Sequence, residues 1–144
     1  MNFISPPSTS LREALAVFCD EVGLSVPEPK PNGVYALWLE DHELRFSLQK
    51  NAQVILLGVI GRVDDLVARR QTSSQHLLTS CLTLHAARFS KLSGEEILSL
   101  EPETDELILW RSLAEQDLSI PTFLQAAEAL VNELEFWKNW LTQS

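Results

Sequence analysis

DELILWRSLAEQDLS, residues 105–119, is the stretch whose reading decides the fold. Its first half has the composition of a β-strand. Asp117-Leu118-Ser119 then supplies helix-start residues, with Pro121 tolerated in the first turn that follows. A strand with one face on a core and the other in water alternates apolar and polar residues. Leu107-Ile108-Leu109-Trp110 is apolar on both faces, so each face needs a cover. Leu107, Leu109 and Leu113 are expected on the protein's own helices, with Arg111 interrupting near the edge. Ile108 and Trp110 point the other way.

The surrounding chain has to supply the rest of that sheet and its helices. Downstream, Phe123, Ala127, Leu130, Leu134, Trp137 and Leu141 keep the 3.6-residue period of one long helix. Upstream, Gly94 opens a strand containing Ile97, Leu98 and Leu100, and Glu101 to Asp105 form an acidic turn. From Ser73 to about Phe89 the pattern is helical. Leu77, Cys81, Leu84 and Arg88 lie on one stripe, and Leu78, Leu82, His85 and Phe89 on its neighbour. That apolar surface is too wide for a helix that covers only its own sheet. Residues 62–72 are charged and read as a loop containing a helical turn.

Three strand-like runs precede them. Val34 to Glu40 is largely apolar on both faces. In the second run, Leu44, Phe46 and Leu48 alternate with Glu43, Arg45, Ser47 and Gln49, and the third, Ala52 to Ile60, is again apolar on both faces. The turns at Glu40-Asp41-His42 and Lys50-Asn51 are short, as in an antiparallel meander. Before the meander, Ser10-Leu11-Arg12-Glu13 has the form of a capping box, Leu11, Ala14, Leu15, Phe18 and Val22 follow at helical spacing, and Gly23 ends the helix. Pro27, Pro29 and Pro31 make an extended connector, and Asn32-Gly33 a turn. The expected fold is α+β, in the order α-βββ-α-ββ-α, with an antiparallel sheet and helices packed mainly on one side. It forms a single domain over residues 1–144, with 1–9 as a loose lead-in.

Composition narrows the function. A chain of 144 residues with 45% apolar and 22% charged residues is of ordinary globular type. The longest apolar run, Val54 to Ile60, is far short of the ~20 residues of a membrane helix. Met-Asn-Phe-Ile-Ser has neither the positive cluster nor the apolar run of a secretory signal. A cytoplasmic address is therefore expected. The net charge of −9, with Arg69-Arg70 as the largest basic cluster, argues against nucleic acid and favours polypeptide or basic partners.

No catalytic constellation emerges. His76 and His85 are nine apart, which is wrong for an i,i+4 metal pair. His42 lies in a turn, and Cys19 and Cys81 lack CxxC spacing and read as buried thiols. Gly58 to Gly61 lack the Lys-Ser/Thr of a phosphate loop, and Asp64-Asp65 and Glu95-Glu96 read as solvated loop charge. No enzymatic activity, metal or cofactor is expected. The first strand, the middle helix and the fifth strand each show two apolar sides, which self-association together with binding of another chain would cover.

Residues 105–141, DELILWRSLAEQDLSIPTFLQAAEALVNELEFWKNWL, resemble the type III secretion chaperones of the CesT-like family: an apolar strand ending in a Trp-Arg-Ser-Leu-like sequence, an Asp-Leu, a Phe-containing helix and a closing Trp. The first helix and VYALWLEDHELRFSLQ, residues 34–49, fit in order and spacing. SKLSGEEILSL, with its single Gly94, departs from the family's glycine-rich entry to the fourth strand. The resemblance implies a non-enzymatic homodimer, joined through the middle helix, that holds the N-terminal segment of an effector in extended form. The alternative cargo is a transcriptional regulator or an apparatus component. It places partner contacts at Leu15, Phe18, Tyr35, Leu37 and Leu39, with the first strand as a sheet edge. Phe46 and Leu48 belong either to that groove or to the helix-facing core. It places the dimer contact at Leu78, Leu82, His85 and Phe89, with Ile108 and Trp110 facing the second subunit or its cargo.

Overall fold

The computed structural model describes residues 9–91 and 96–142, so the expected lead-in, apart from Thr9, and the entry at Gly94 lie outside the described residues. Helix α1 (Leu11–Val22) begins at the capping box: Ser10 Oγ accepts the Glu13 N–H at 3.1 Å and donates to Glu13 Oε1 at 3.1 Å. It ends in a Schellman arrangement, with Gly23 left-handed at φ 78° and the Leu24 N–H on the Cys19 carbonyl at 2.8 Å. The proline connector closes on itself at Asn32-Gly33, where Asn32 Oδ1 accepts the Val34 N–H at 3.1 Å.

Strands β1 (Tyr35–Leu39), β2 (His42–Leu48) and β3 (Gln53–Arg62) form the expected meander. Helices α2 (Val63–Arg70) and α3 (Ser74–Lys91) follow, then β4 (Ile97–Glu101), β5 (Glu106–Ala114), a 3-10 turn at Glu115–Asp117, and α4 (Ile120–Thr142). The segment read as a loop with a helical turn is thus a helix of eight residues, α2. Its Arg70 lies over the Trp140 ring, 5.0 Å from the centroid, and donates to the carbonyls of Trp140 and Leu141 at 3.0 and 3.4 Å. It thereby satisfies carbonyls that the end of α4 leaves free. Ser119 caps the other end of α4, its Oγ accepting the Thr122 N–H at 3.2 Å.

All pairings in the five-stranded sheet are antiparallel, in the order β1-β2-β3-β5-β4. β3 is central, and β1 and β4 are the edges. The two-residue turn Glu40-Asp41 sets Leu39 opposite His42, and the rest of β1 follows from that register. Leu37, Leu44, Phe46, Val54, Leu56, Leu98, Leu107 and Leu109 face the helices and form the core with α1 and α4. Phe18, Phe46 and Phe123 meet there as three rings, with centroids 5.6, 6.1 and 6.3 Å apart. A bulge between Val59 and Gly61 inserts Ile60 and shifts the β3–β5 register.

Helix α4 crosses the sheet on the row Leu44-Gly58-Leu109. A Cβ on Gly58 would overlap the side chain of Leu134, which is wholly buried and has no room to withdraw. Glycine is needed here for close approach, whatever its backbone dihedrals. Gly58→Ala should lower stability by about 1–3 kcal/mol, the usual cost of overpacking a filled core. The urea midpoint is expected to fall with an unchanged m value.

Candidate functional site

Among the described residues edge strand β1 has a neighbour on one side only, and beside it lies a groove walled by α1 and α4. Phe18, Val22, Leu39, Leu124 and Val131 form its apolar lining, and Glu21, Glu128 and Asn132 line it as well. The cavity measures about 260 Å³. That is smaller than the ~300–1,000 Å³ of small-molecule sites, and suits one or two side chains of a larger partner. On the opposite face of the same strand, Trp38 is 61% exposed. A chain added to β1 would alternate between these two faces, with backbone hydrogen bonds in between.

The sheet face away from the helices carries the second apolar surface. Arg45, Leu57, Trp110 and Ile97 form one cross-strand row, and Trp38, Glu43, Val59, Ile108 and Ser99 form the next. Val59 and Ile108 are buried although they stand outside the main core. Arg45 Nε binds Glu43 at 2.7 Å, and its terminal nitrogens reach Glu106 on β5 at 3.2 and 3.4 Å. Since β2 and β5 flank β3, that bridge passes over β3, and the aliphatic stem of Arg45 shields it. Trp110 donates Nε1–H to Ser99 Oγ at 2.9 Å. Its indole is tied down on a face that no described helix covers.

Helix α3 supplies a third surface. Leu77 and Cys81 are buried, whereas Leu78 is partly covered and Leu82 is 59% exposed. Ile97 and Leu100 on edge strand β4 are exposed too. His85 joins α3 to β4, its Nε2 accepting the Leu98 N–H at 3.4 Å, and its ring lies 6.4 Å from that of Trp137. Burial lowers the His85 pKa from its ordinary 6.5, and the charge of Glu133 opposes the shift.

Reactive groups elsewhere are scattered. Cys81 has its thiol pushed up to about 11 by burial, with Arg70 opposing, and burial raises Cys19 as well, so neither is an activated nucleophile. His42 is buried with Nε2 3.6 Å from Asp41 and 3.7 Å from Glu135. Those separations are too long for hydrogen bonds. Among the described residues no group of three or more His, Cys, Asp or Glu could hold a metal ion, and no helix is long and apolar enough to cross a membrane.

The residues expected at a partner surface are divided by the fold. Leu15 and Phe46 are wholly enclosed in the core, and Leu37 is buried on the helix side of β1. Phe18 is mostly core, although it lines the groove, and Leu39 lines the groove directly. Tyr35 is partly buried, and Leu48 is 49% exposed near the end of β2, away from that groove. Of the residues expected at a dimer contact, Leu78, Leu82 and His85 share α3, and Ile108 and Trp110 share the outer sheet face. The side chain of Phe89 lies outside the described residues. Trp38 was not among the residues expected at that surface. The alternation of β2 was legible, but the turn is Glu40-Asp41, with His42 inside β2, and only that register carries the parity to β1 and sends Trp38 outward.

The family described as "Tir chaperone protein (CesT) family" matches residues 13–138. Among solved structures, the fold is similar to that of the ExsC–ExsE complex, with TM-score 0.67, 18% identity, and 91% of this chain and 92% of that chain covered. The HopA1–SchA chaperone–effector complex gives TM-score 0.62 at 17% identity, covering 88% and 91%. The Yersinia pestis type III secretion chaperone SycH, in complex with a stable fragment of YscM2, gives 0.55 at 17% identity, covering 89% and 99%. At such identities the likeness is one of fold. None of the curated proteins matches the sequence.

The His85 geometry sets a pH dependence. Only a neutral Nε2 can accept the Leu98 amide, and the folded-state pKa lies below the unfolded one. The folded state therefore binds fewer protons, and this stabilisation is complete above pH ~6.5 and lost as the pH falls through the lowered value. Urea midpoints should decline from about pH 7.5 to about pH 5.5, and His85→Gln should flatten that decline.

Proposed function

We propose that this chain, which belongs to the Tir chaperone protein (CesT) family, is a type III secretion chaperone that works as a cytoplasmic homodimer without catalysing a reaction. Its cargo is the N-terminal segment of an effector, held extended along β1 and anchored in the groove between α1 and α4. The observation that carries this reading is the open β1 edge, with an apolar groove on one side and exposed Trp38 on the other. An extended segment pays a large ordering cost, so it needs several separated apolar anchors and a strand to pair with. Each of the three similar structures is a complex with a second protein, which supports the same reading.

In this reading the dimer forms through α3, with Leu78 and Leu82 at its centre and Trp110 contributing. A twofold contact between helices would cover Leu82, the most exposed large apolar residue of α3 among those described. His85 keeps its bond to β4.

Light scattering should give a mass of about twice the 16.2 kDa chain. Leu82→Glu should give folded monomers, because an unpaired charge in a closed apolar contact costs several kcal/mol. A wild-type monomer at high micromolar concentration sinks the dimer.

Cargo capture is tested by co-expression with the first ~100 residues of the protein encoded by the neighbouring reading frame, where that protein is an effector, a length that accommodates several spaced anchors. The two should co-purify, and Trp38→Ser should weaken the complex about tenfold or more while leaving the dimer and its stability unchanged. Retention of full affinity by Trp38→Ser would remove the β1 edge from the reading.

A further inference from the structure

The groove beside β1 is lined unevenly in charge. Its two ionisable lining residues are both carboxylates: Glu21 at the end of α1 and Glu128 on α4. Both are exposed, they stand on different helices, and neither takes part in a salt bridge among the described residues. No Lys or Arg lines the groove, although Lys30 and Arg45 line the cavity on the other side of the sheet. An apolar floor with negative charge on both walls is a patterned recognition surface, and it sits on a chain of net charge −9. Charge at the rim of an apolar site contributes little to folding, and acts by favouring one class of partner and repelling another.

We propose that this groove selects segments whose apolar anchor is flanked by Lys or Arg, with Glu21 and Glu128 as the residues that read the flanking charge. The inference rests on the reading of β1 and its groove as the site of an extended partner. It adds the chemistry of that partner: alternating apolar residues with basic neighbours. Anchor side chains enter between Val22, Leu39 and Val131, and the flanking cations lie along the two helices that carry the carboxylates. An acidic segment of the same apolar pattern meets repulsion from both walls.

The test uses the intact protein and two fluorescein-labelled synthetic peptides of about twelve residues, each with alternating Ile and Thr. One is flanked by Lys and the other by Glu. Fluorescence anisotropy in about 50 mM salt should show the Lys peptide binding about tenfold more tightly, a ratio within reach of two rim ion pairs. The ratio should shrink toward one in Glu21→Gln/Glu128→Gln and in about 500 mM salt, where such pairs are screened. Asp64→Asn/Asp65→Asn removes the same charge from α2, outside the groove, and should leave the ratio unchanged. If both double variants lower the ratio equally, net charge and not the groove makes the selection, and the inference fails. Equal binding of both peptides, weakened alike by Trp38→Ser, would keep the docking reading and overturn the charge preference. No binding of either peptide would overturn both.

Discussion

The approach of Leu134 to Gly58 determines how the molecule is layered. Where β3 lacks a side chain, α4 settles directly on the central strand, and Phe46, Phe123 and Leu109 are wholly buried in the same core. A larger residue at position 58 would lift the helix from the sheet along its length. With α4 seated low, α1 completes the helical side through the three-ring cluster of Phe18, Phe46 and Phe123. The helices are then committed to one face, and what remains uncovered follows from that commitment.

Three surfaces remain: the β1 edge and its groove, the outer sheet face, and the exposed side of α3 with β4. They differ in how much they cover for themselves. The outer face is partly closed by the ion-paired Arg45 and by the Trp110–Ser99 hydrogen bond, and Val59 and Ile108 are buried beneath neighbouring side chains without a helix. Cover among the described residues is thinner at the β1 margin, where Trp38 reaches into solvent beside that face, and on α3, where Leu82 does. This division answers the difficulty posed by the doubly apolar fifth strand. One of its faces joins the core, and the other is covered in part by polar bridges within the chain.

Much of this was legible because it is written in local chemistry. The capping box at Ser10 and Glu13, the left-handed Gly23, the alternation of β2 and the stripe along α4 each specify themselves within a few residues. Helix α2 did not: Val63, Leu66 and Val67 make only a short apolar pattern among Asp64, Asp65, Arg69 and Arg70, and the contact of Arg70 with α4 spans some seventy residues. The site was harder to read than the fold. In a strand with two apolar faces, composition cannot say which parity looks inward, so Tyr35, Leu37 and Leu39 were chosen and Trp38 was passed over. Leu15 was likewise assigned to a surface, and Phe46 was left open between groove and core, although helix and sheet close around both. Apolar residue type marks burial, but only tertiary register separates core from docking surface.

The clasp of Arg70 on Trp140 and Leu141 bears on how the chain is made. Helix α4 supplies the floor of the core and is the last described element to leave the ribosome. It contacts both α1 and the central strand, so these contacts join opposite ends of the described chain. Until it is synthesised, the meander and the β4–β5 hairpin can pair, yet their inner faces remain wet. Such long-range closure slows folding and prolongs exposure of sheet edges. A chain lacking α4 would leave the inner face of its sheet without that helix, and α4 docking, latched by Arg70 on Trp140 and Leu141, closes the core.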